Sequence, residues 1–361
     1  MKYYFSSESV TSGHPDKICD LIADTILDEA LRQDPDSHMA VEATIKDDLI
    51  LVFGEAGTTA QLDYEGIAKK VLKDIGYEEE YHVITKVDKQ SPEINAAVSQ
   101  EEISAGDQGI MFGYACNETP NCMPYALDCA HRLAARLEQV RRQNPVLKPD
   151  GKTQVTVEYE DGKLKRIDAI VVSAQHVESI SQEELHKLIR EKVIDPVVDP
   201  ALVDKNTKYL INPSGSFVVG GSWGDSGTTG RKIVVDSYGG ASPIGGGCFS
   251  SKDPTKVDRS GAYYARYVCR NLVAHGLCEK CTLELAYAIG RPEPISVYIN
   301  TYGTSSLSEE ELMEIINRNF DFSVGNMIRE LDLCKPIYTK TTNYGHFGKD
   351  DLPWEQIKDL K

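Results

Sequence analysis

Long hydrophobic runs are absent from this sequence of 361 residues, whose longest apolar stretches, such as Leu49–Phe53, are five residues long. A helix that crosses a bilayer needs about 20 apolar residues, so no segment predicts a transmembrane helix. The N-terminal residues also lack an apolar core followed by small residues, and we expect no signal peptide. These absences predict a soluble protein.

Basic residues are scarce as well, since 39 Lys and Arg face 56 Asp and Glu, for a formal net charge of −17. Such a negative field disfavours nonspecific binding to nucleic acid and to an anionic membrane surface. We therefore expect neither partner, and a polyanionic ligand would need a local cluster of basic residues.

A regular cysteine pattern is missing too. The nine cysteines are an odd number without regular spacing, which favours a reducing compartment over a disulfide framework. The sequence thus predicts a cytoplasmic location.

What is present is a folded chain with an internal repeat. Apolar residues make up 41% and charged residues 26%, which excludes disorder, and the length exceeds what one core usually serves. The order helix, strand, strand, helix occurs three times by hydrophobic periodicity. The elements are predicted over residues 15–32, 39–45, 49–55 and 63–75, then 123–142, 153–160, 163–173 and 182–193, then 255–275, 282–289, 295–301 and 308–319.

The repeat predicts an α+β fold of three similar lobes, each a sheet with helices on one face, related by approximate internal threefold symmetry. We place the lobes at residues 1–100, 106–222 and 223–361. The alternative is that alternating elements are common and the symmetry is accidental.

Two long connectors separate the copies, at about residues 86–121 and 196–254. Connectors of this length are more often functional or disordered than idle. Eleven of the 28 glycines lie between Gly215 and Gly247, and we expect the chemistry there. In the first connector, residues 93–104 could move as a lid, or form a solvated acidic loop in which Asp107 makes an Asx turn.

The first candidate motif is Gly13-His14-Pro15-Asp16-Lys17, at the start of the first helix. Free backbone N–H groups and the helix dipole favour an anion there, while Asp16 offers oxygen to Mg²⁺. The alternative is that Ser12 or Asp16 caps the helix and Lys17 is solvated.

Two glycine-rich segments carry most of the nearby basic residues. Residues 224–232 end in Arg231 and Lys232, and residues 245–259 contain Lys252, Lys256 and Arg259 beside an aspartate. Backbone N–H groups in such runs can surround an anion, and the basic side chains add charge. The two segments therefore predict a polyphosphate site, with tight turns bearing exposed basic residues as the alternative.

Taken together, these motifs closely resemble the S-adenosylmethionine synthetase family. The resemblance rests on Gly-His-Pro-Asp-Lys, Gly-Asp-Gln-Gly at 106–109, Gly-Arg-Lys, Gly-Gly-Gly-x-Phe-Ser-x-Lys-Asp-Pro-x-Lys-Val-Asp-Arg and the terminal Tyr-Gly-His-Phe-Gly at 344–348, and it spans nearly the whole chain. It implies that methionine sulfur attacks C5′ of ATP and the whole triphosphate leaves, to be cleaved to pyrophosphate and phosphate. It also implies a homodimer or dimer of dimers with active sites at the subunit interface.

The resemblance further implies a set of site residues and cofactors. His14 would contact the leaving oxygen, and the phosphates would be neutralised by Lys152, Arg231, Lys232, Lys252 and Lys256. Substrates would be held by Glu55, Gln90, Asp107, Phe217, Asp225 and Cys248, and the segment from Gln90 towards Ala105 would be a gating loop. Two Mg²⁺ ions per site would be held by Asp16 and Asp258, and K⁺ by Glu42.

Three positions depart from the family pattern: Ser216 where Arg is common, Ser251 where Gly is common, and residues 241–244 without the usual His. They leave the reaction in place but affect adenosine-side contacts. Two other interpretations use the same basic cluster, namely a phosphotransferase or polyphosphatase that needs no methionine, and an ATP-binding regulatory subunit without catalysis.

Overall fold

A computed structural model describes residues 1–89 and 103–361 of the chain. The strands are β1 (Lys2–Val10), β2 (His38–Lys46), β3 (Leu49–Gly57), β4 (His82–Asp88), β5 (Gly109–Cys116), β6 (Leu147–Glu160), β7 (Lys163–His176), β8 (Lys208–Ile211), β9 (Gly227–Thr228), β10 (Lys280–Tyr287) and β11 (Ser296–Asn300). The helices are α1 (Pro15–Gln33), α2 (Tyr64–Ile75), α3 (Tyr125–Gln143), α4 (Gln182–Ile189), α5 (Ile233–Asp236), α6 (Val257–Ala274), α7 (Glu309–Asn319) and α8 (Val324–Glu330).

The described strands form three sheets, with the orders β4-β3-β2-β9, β1-β6-β7-β8 and β11-β10-β5. Each sheet is completed by one strand from elsewhere in the chain. β1 pairs with β6, β5 pairs with β10, and β9 pairs with β2. This exchange ties the three sheets together, because no sheet is complete without a strand from a different third of the chain. The lobe boundaries at 100, 106 and 222 stay a prediction.

One face of each sheet is covered by a long helix. α1 packs on β2, α3 on β1 and β6, and α6 on β5 and β10. The buried positions follow the helical period, as at Ile18, Ile22 and Ile26 of α1, which are 0% exposed. In β5 a Cβ at Gly113 would lie 2.1 Å from the backbone of Ala265, so only glycine lets α6 approach this closely. The predicted layer architecture is therefore confirmed.

The predicted elements agree with the structure apart from some boundaries. The strand predicted from residue 153 begins at Leu147, and the helix predicted to 193 is α-helical only to Ile189, followed by a π-helical turn, Arg190–Ile194. The strands β1, β4, β5, β8 and β9 and the short helices α5 and α8 were not predicted. β1 is rich in serine, and its buried positions include Ser7 and Ser9, so it lacks the apolar alternation that marks a strand.

Neither a membrane-spanning helix nor a disulfide occurs among the described residues. In the described part of the chain, no helix is both long and apolar enough to cross a membrane. All nine cysteines are unpaired, which agrees with the absence of a disulfide framework.

Candidate functional site

The first turn of α1 is capped by His14. Its backbone is extended, and its Nδ1 accepts a hydrogen bond from the Asp16 N–H at 3.2 Å. Pro15 fills the first helical position, where its missing N–H is harmless. Neither Ser12 nor Asp16 caps the helix, so that alternative is wrong.

His14 is uncharged at neutral pH. Burial, together with the charges of Lys232 and Lys152, lowers the pKa of His14 to about 3. Since Nδ1 accepts the hydrogen bond from Asp16, the neutral ring carries its proton on Nε2. His14 is therefore a hydrogen-bond donor that adds no charge to its surroundings.

The carboxylate of Asp16 faces the glycine-rich segment that ends in the two basic residues. Thr228 N–H donates to Oδ1 at 3.0 Å, Lys232 Nζ donates to Oδ2 at 2.6 Å, and Arg231 Nε lies 3.7 Å from Oδ1. Burial alone would raise the pKa of Asp16, but the hydrogen bonds from Lys232 and Thr228 hold it below its ordinary value. Asp16 is thus ionised and ready to meet a cation.

A cavity of about 290 Å³ opens beside this helix terminus. It is lined by His14, Lys152, Phe217 and Asp225, among others. Lys152 lies on β6 opposite Val10 of β1, and Phe217 is held by its N–H, which donates to His176 Nε2 at 3.0 Å. We call the following residues the first cluster: His14, Asp16, Lys152, Phe217, Asp225, Arg231 and Lys232.

Asp150 lies in the same cavity and was not predicted. Its Oδ2 accepts a hydrogen bond from Gly221 N–H at 2.8 Å, and the residue is 7% exposed. Burial raises the pKa of Asp150 to about 6, although Gly221 and Lys152 oppose the shift. The only signal in the sequence was its position two residues before Lys152 in Pro-Asp-Gly-Lys, which reads as a turn.

A second group of predicted residues lies around the start of α6. Lys252 pairs with Asp258, and Lys256 pairs with the buried Asp253. The backbone of Lys252 also bridges to Ala40 of β2. This contact brings the loop to β2, the strand that carries the predicted potassium residue, next to β3, which carries a predicted substrate residue.

The predicted carboxylates beside this loop come from the two inner strands of the sheet. Glu42 lies on β2, and Glu55 lies on β3 opposite Ala40. Burial raises the pKa of Glu42, and the nearby Lys252 opposes the shift. We call the following residues the second cluster: Glu42, Glu55, Cys248, Lys252, Lys256 and Asp258.

Glycines set the spacing inside the second cluster. A Cβ at Gly247 would lie 2.1 Å from the Asp258 carboxylate, and one at Gly230 would lie 2.6 Å from Cys248. A Cβ at Gly109 would lie 3.2 Å from Asp258, so the turn that contains Asp107 also approaches this aspartate. The Asp107 side chain is exposed and accepts from the N–H of Gln108.

The two clusters are separate within one chain. Across residues 1–89 and 103–361, no hydrogen bond or ion pair joins a member of one to a member of the other. In that same part of the chain, no group of three or more His, Cys, Asp and Glu side chains could hold a metal ion. Gln90 and most of the predicted gating loop lie outside the described residues.

Two basic residues of the candidate motifs are not available to a ligand. Lys17 is 1% exposed and pairs with Asp20 and Asp236. Arg259 is also 1% exposed and makes a bidentate pair with Asp24, with both N–O distances at 2.8 Å. The alternative that Lys17 is solvated, and the interpretation of Arg259 as part of the polyphosphate cluster, are therefore wrong.

Aspartates at every fourth position of α1 connect the helix to distant loops. Asp20 accepts from Gly230 N–H at 2.8 Å, and Asp24 accepts from Ser251 N–H at 3.1 Å. Asp28 accepts from the N–H groups of residues 338 and 339 at 2.8 Å. With Asp16 they lie on one helix face, and the spacing was visible in the sequence.

The series holds both basic segments against one helix. The Gly230 turn precedes Arg231 and Lys232, and the Ser251 turn precedes Lys252. Because these aspartates are at most 5% exposed, their hydrogen bonds are shielded from water and position the loops firmly. Basic side chains, backbone amides and carboxylates brought together in this way suit a polyanionic ligand and its cations.

Known proteins similar to this chain belong to the family that the sequence motifs resemble. Family models for the N-terminal, central and C-terminal domains of S-adenosylmethionine synthetase match residues 2–101, 102–217 and 219–356. The S-adenosylmethionine synthase of Brachyspira hyodysenteriae is 50% identical over an alignment of 383 positions, which covers 99% of this chain and 97% of that protein.

The chain belongs to the S-adenosylmethionine synthetase family. It is an ATP-binding transferase that forms S-adenosylmethionine from ATP and methionine, as the motifs predicted. The alternatives without methionine or without catalysis are not supported.

Proposed function

We propose that the active site forms between two copies of the chain, where the first cluster of one copy meets the second cluster of the other. The observation that carries this proposal is the division of the predicted residues into two groups that, within the described residues, share no hydrogen bond or ion pair. Each group supplies one carboxylate for a divalent ion, Asp16 or Asp258, and lysines for phosphate. Each is half of the set that the reaction needs.

The uncovered sheet faces support association into a homodimer or a dimer of dimers. Each sheet carries a large exposed apolar side chain: Ile84 is 54% exposed, Leu210 42% and Tyr298 53%. Burial of these side chains against a second copy would remove apolar surface from water. A soluble, cytoplasmic oligomer is the form that we propose.

The proposed reaction is a displacement followed by a hydrolysis. The methionine sulfur forms a bond to C5′ of ATP, and the bond from C5′ to the triphosphate oxygen breaks with its electron pair. Water then cleaves the triphosphate to pyrophosphate and phosphate. A neutral sulfur needs no general base, so catalysis depends on alignment and on stabilising the charge of the leaving group.

The residues of the first cluster suit the leaving group. Neutral His14 can donate from Nε2 to the departing oxygen, while Lys152, Arg231 and Lys232 neutralise the phosphates. Phe217 offers an apolar ring to the adenine, and Asp225 offers a carboxylate to the methionine ammonium. From the second cluster of the other copy, Lys252 and Lys256 add positive charge.

The remaining predicted residues complete the substrate contacts. In the proposal, Glu55, Asp107, Cys248 and Gln90 contact methionine or ATP. Glu55 and Asp107 are exposed carboxylates. This exposure agrees with contacts that form only when a partner subunit and the substrate bind.

The carboxylates also fit the expected cations. Mg²⁺ binds through one or two carboxylates and completes its shell with water and substrate phosphates, so one aspartate in each cluster suffices for the two Mg²⁺ ions. When bound, Mg²⁺ supplies positive charge to the triphosphate. Glu42 is half-buried, and within the described residues it forms no hydrogen bond or ion pair, which suits K⁺.

Mixing two inactive variants tests the shared site. Lys232→Ala damages the first cluster and Lys252→Ala the second. In a mixed dimer one site carries both defects and the other carries none, so dissociating and reassociating equal amounts should restore about a quarter of wild-type turnover. S-adenosylmethionine, pyrophosphate and phosphate should appear in equal amounts.

The control is a mixture of Lys232→Ala with Arg231→Ala, both in the first cluster, which should stay inactive because every mixed dimer has two damaged sites. If the Lys232→Ala and Lys252→Ala mixture also stays inactive after subunit exchange has been verified by mass, the site lies within one chain and the proposal is wrong.

A further inference from the structure

We propose that His176 is a positioning residue for ATP, because its imidazole ring fixes the backbone of Phe217. The inference rests on the proposed contact between Phe217 and the adenine. His176 is the last residue of β7, opposite Leu147 of β6, and it is 2% exposed. Phe217 lies 41 positions later, in the segment between β8 and β9.

Both ring nitrogens of His176 take part in hydrogen bonds. The Phe217 N–H donates to Nε2 at 3.0 Å, and Nδ1 lies 2.8 Å from the Val177 carbonyl oxygen. A backbone N–H can only donate and a carbonyl oxygen can only accept, so Nδ1 carries the proton and Nε2 is the acceptor. The His176 N–H also donates to the Phe217 carbonyl oxygen at 2.9 Å. Both backbone polar groups of Phe217 are therefore bonded to this one residue.

The ring of Phe217 depends on these backbone bonds for its position. Phe217 is half-buried, and it belongs to neither of the two hydrophobic cores that the described residues form. One edge of the ring faces Gly220, where a Cβ would lie 2.9 Å from Phe217 Cε2. Because little apolar packing fixes the ring, its place in the wall of the cavity is set by the backbone that carries it.

The rest of the segment is attached to β7 independently of the imidazole. Asn212 Oδ1 accepts from the Ala174 N–H at 2.7 Å, and Asn212 Nδ2 donates to the Ala174 carbonyl oxygen at 3.0 Å. Further along, Gln175 Nε2 donates to the Val218 carbonyl oxygen at 3.0 Å. Three consecutive residues of β7 thus hold three points of the segment. Removing the His176 ring should therefore leave the segment folded.

Loss of the acceptor at His176 should weaken the binding of ATP. The Phe217 N–H would lose its partner, which costs free energy unless the backbone turns this group towards water. That rotation would move the ring away from the adenine. Since the adenine is remote from C5′, its contacts stabilise the substrate and the transition state equally, so the KM for ATP should rise while kcat stays the same.

Steady-state assays of the full-length enzyme test the inference. His176→Leu should raise the KM for ATP about tenfold, as expected for one unmade hydrogen bond, with kcat and the KM for methionine near the wild-type values. His176→Gln carries an amide oxygen on a side chain of similar reach and should restore most of the affinity. His186→Leu, at an exposed histidine, is the matched control and should behave as the wild type.

A substrate without adenine separates positioning from a general structural defect. Hydrolysis of inorganic tripolyphosphate should proceed equally in the wild type, His176→Leu and Phe217→Ala. The double variant should have the KM for ATP of Phe217→Ala alone, because the effect of His176 passes through that ring.

Three results would overturn the inference: a wild-type KM for ATP in His176→Leu, a parallel loss of tripolyphosphate hydrolysis in that variant, or additive effects in the double variant. A wild-type KM for ATP in Phe217→Ala would instead contradict the proposed adenine contact on which the inference rests. If the wild type does not hydrolyse tripolyphosphate, the proposed second step is wrong, and the KM values of the single and double variants decide the role of His176.

Discussion

Asp20 on α1 accepts a hydrogen bond from the backbone N–H of Gly230, 210 positions later in the chain, at 2.8 Å. The same carboxylate pairs with the buried Lys17 at 2.9 Å. One side chain therefore connects the first helix of the protein to the turn that carries Arg231 and Lys232. A substitution of Asp20 should therefore lower the stability of the fold and also displace Arg231 and Lys232.

Asp20→Ala should lower the free energy of unfolding by about 3–5 kcal/mol, because removing one partner leaves a buried charge poorly compensated. Among the described residues, Asp236 would then be the one remaining ion-pair partner of Lys17. Urea unfolding measures the change. Glu29→Ala, near the end of the same helix in a partly exposed pair with Arg32, is the control and should cost at most about 1 kcal/mol. A similar effect in both variants would contradict the role of Asp20.

Two adjacent glycines should respond very differently to alanine. At Gly247 the new Cβ would lie 2.1 Å from the Asp258 carboxylate, whereas at Gly246 it would meet no atom of the described residues within 4 Å. Displacing a reacting group by about 1 Å can cost about a hundredfold in rate, so Gly247→Ala should reduce turnover by that order. Gly246→Ala should stay close to wild type. Steady-state assays of both variants, with circular dichroism to confirm folding, check this.

Lys256→Ala should lower turnover by about a hundredfold, since one charge-stabilising contact is worth about 3–4 kcal/mol of barrier. The fold should survive, because Asp253 keeps hydrogen bonds from Met39 N–H at 2.7 Å and from the Thr255 side chain at 2.7 Å. Thermal unfolding and single-turnover rates give the two readouts. Near-normal turnover would contradict the role of Lys256, and the exposed Lys335→Ala is the control.

His131 should make the fold sensitive to acid. Burial, with the charges of Lys349 and Lys17, lowers the pKa of His131 to about 3. The unfolded chain binds a proton below about pH 6.5 but the folded protein does not, so stability falls as the pH drops from 6.5 towards 3.

At pH 5 this linkage amounts to about 2 kcal/mol for His131. Urea unfolding at pH 7.5 and pH 5 should therefore show a smaller loss of stability in His131→Gln than in the wild type. The exposed His82→Gln should show the wild-type loss. Equal losses in all three proteins would mean that His131 does not carry the effect.

Asp150 should give stability the opposite pH dependence from His131, with stability falling as the pH rises. Because burial raises its pKa to about 6, the folded protein holds a proton that the unfolded chain releases near pH 4, and its contribution to stability is lost as the pH rises from 4 to 6. Asp150→Asn keeps an oxygen for Gly221 N–H and removes the charge.

We therefore expect Asp150→Asn to be more stable than the wild type at pH 8, by up to about 3 kcal/mol, and equally stable at pH 4. Urea unfolding across this range measures the difference between the two proteins. A difference that does not change with pH would show that Asp150 is not the titrating group.

The paired strands and long helices of the three repeats could be predicted because their apolar residues recur with a local period. α1 and β2 are examples, with buried positions at every turn of the helix and at alternate positions of the strand. β1 and β9 could not be predicted in this way. β1 is rich in polar residues and β9 has two residues, and each is stabilised by a distant strand.

The candidate residues came from the order of motifs, and the structure separates those that share a chemical type. Lys232 and Lys17 are both basic residues near α1. Lys232 belongs to the first cluster and contacts Asp16, whereas Lys17 is buried between Asp20 and Asp236. Burial decides between the two, and burial depends on which elements pack around a side chain.

By itself the sequence determined the family, the α+β class and the supply of basic residues, carboxylates and glycine-rich loops, because these are encoded in short windows and in their order. Only the tertiary structure decided that Arg259 is held by Asp24, 235 positions away, and that the predicted site is divided into two clusters. Such pairings depend on how distant segments pack, and no local pattern carries that information.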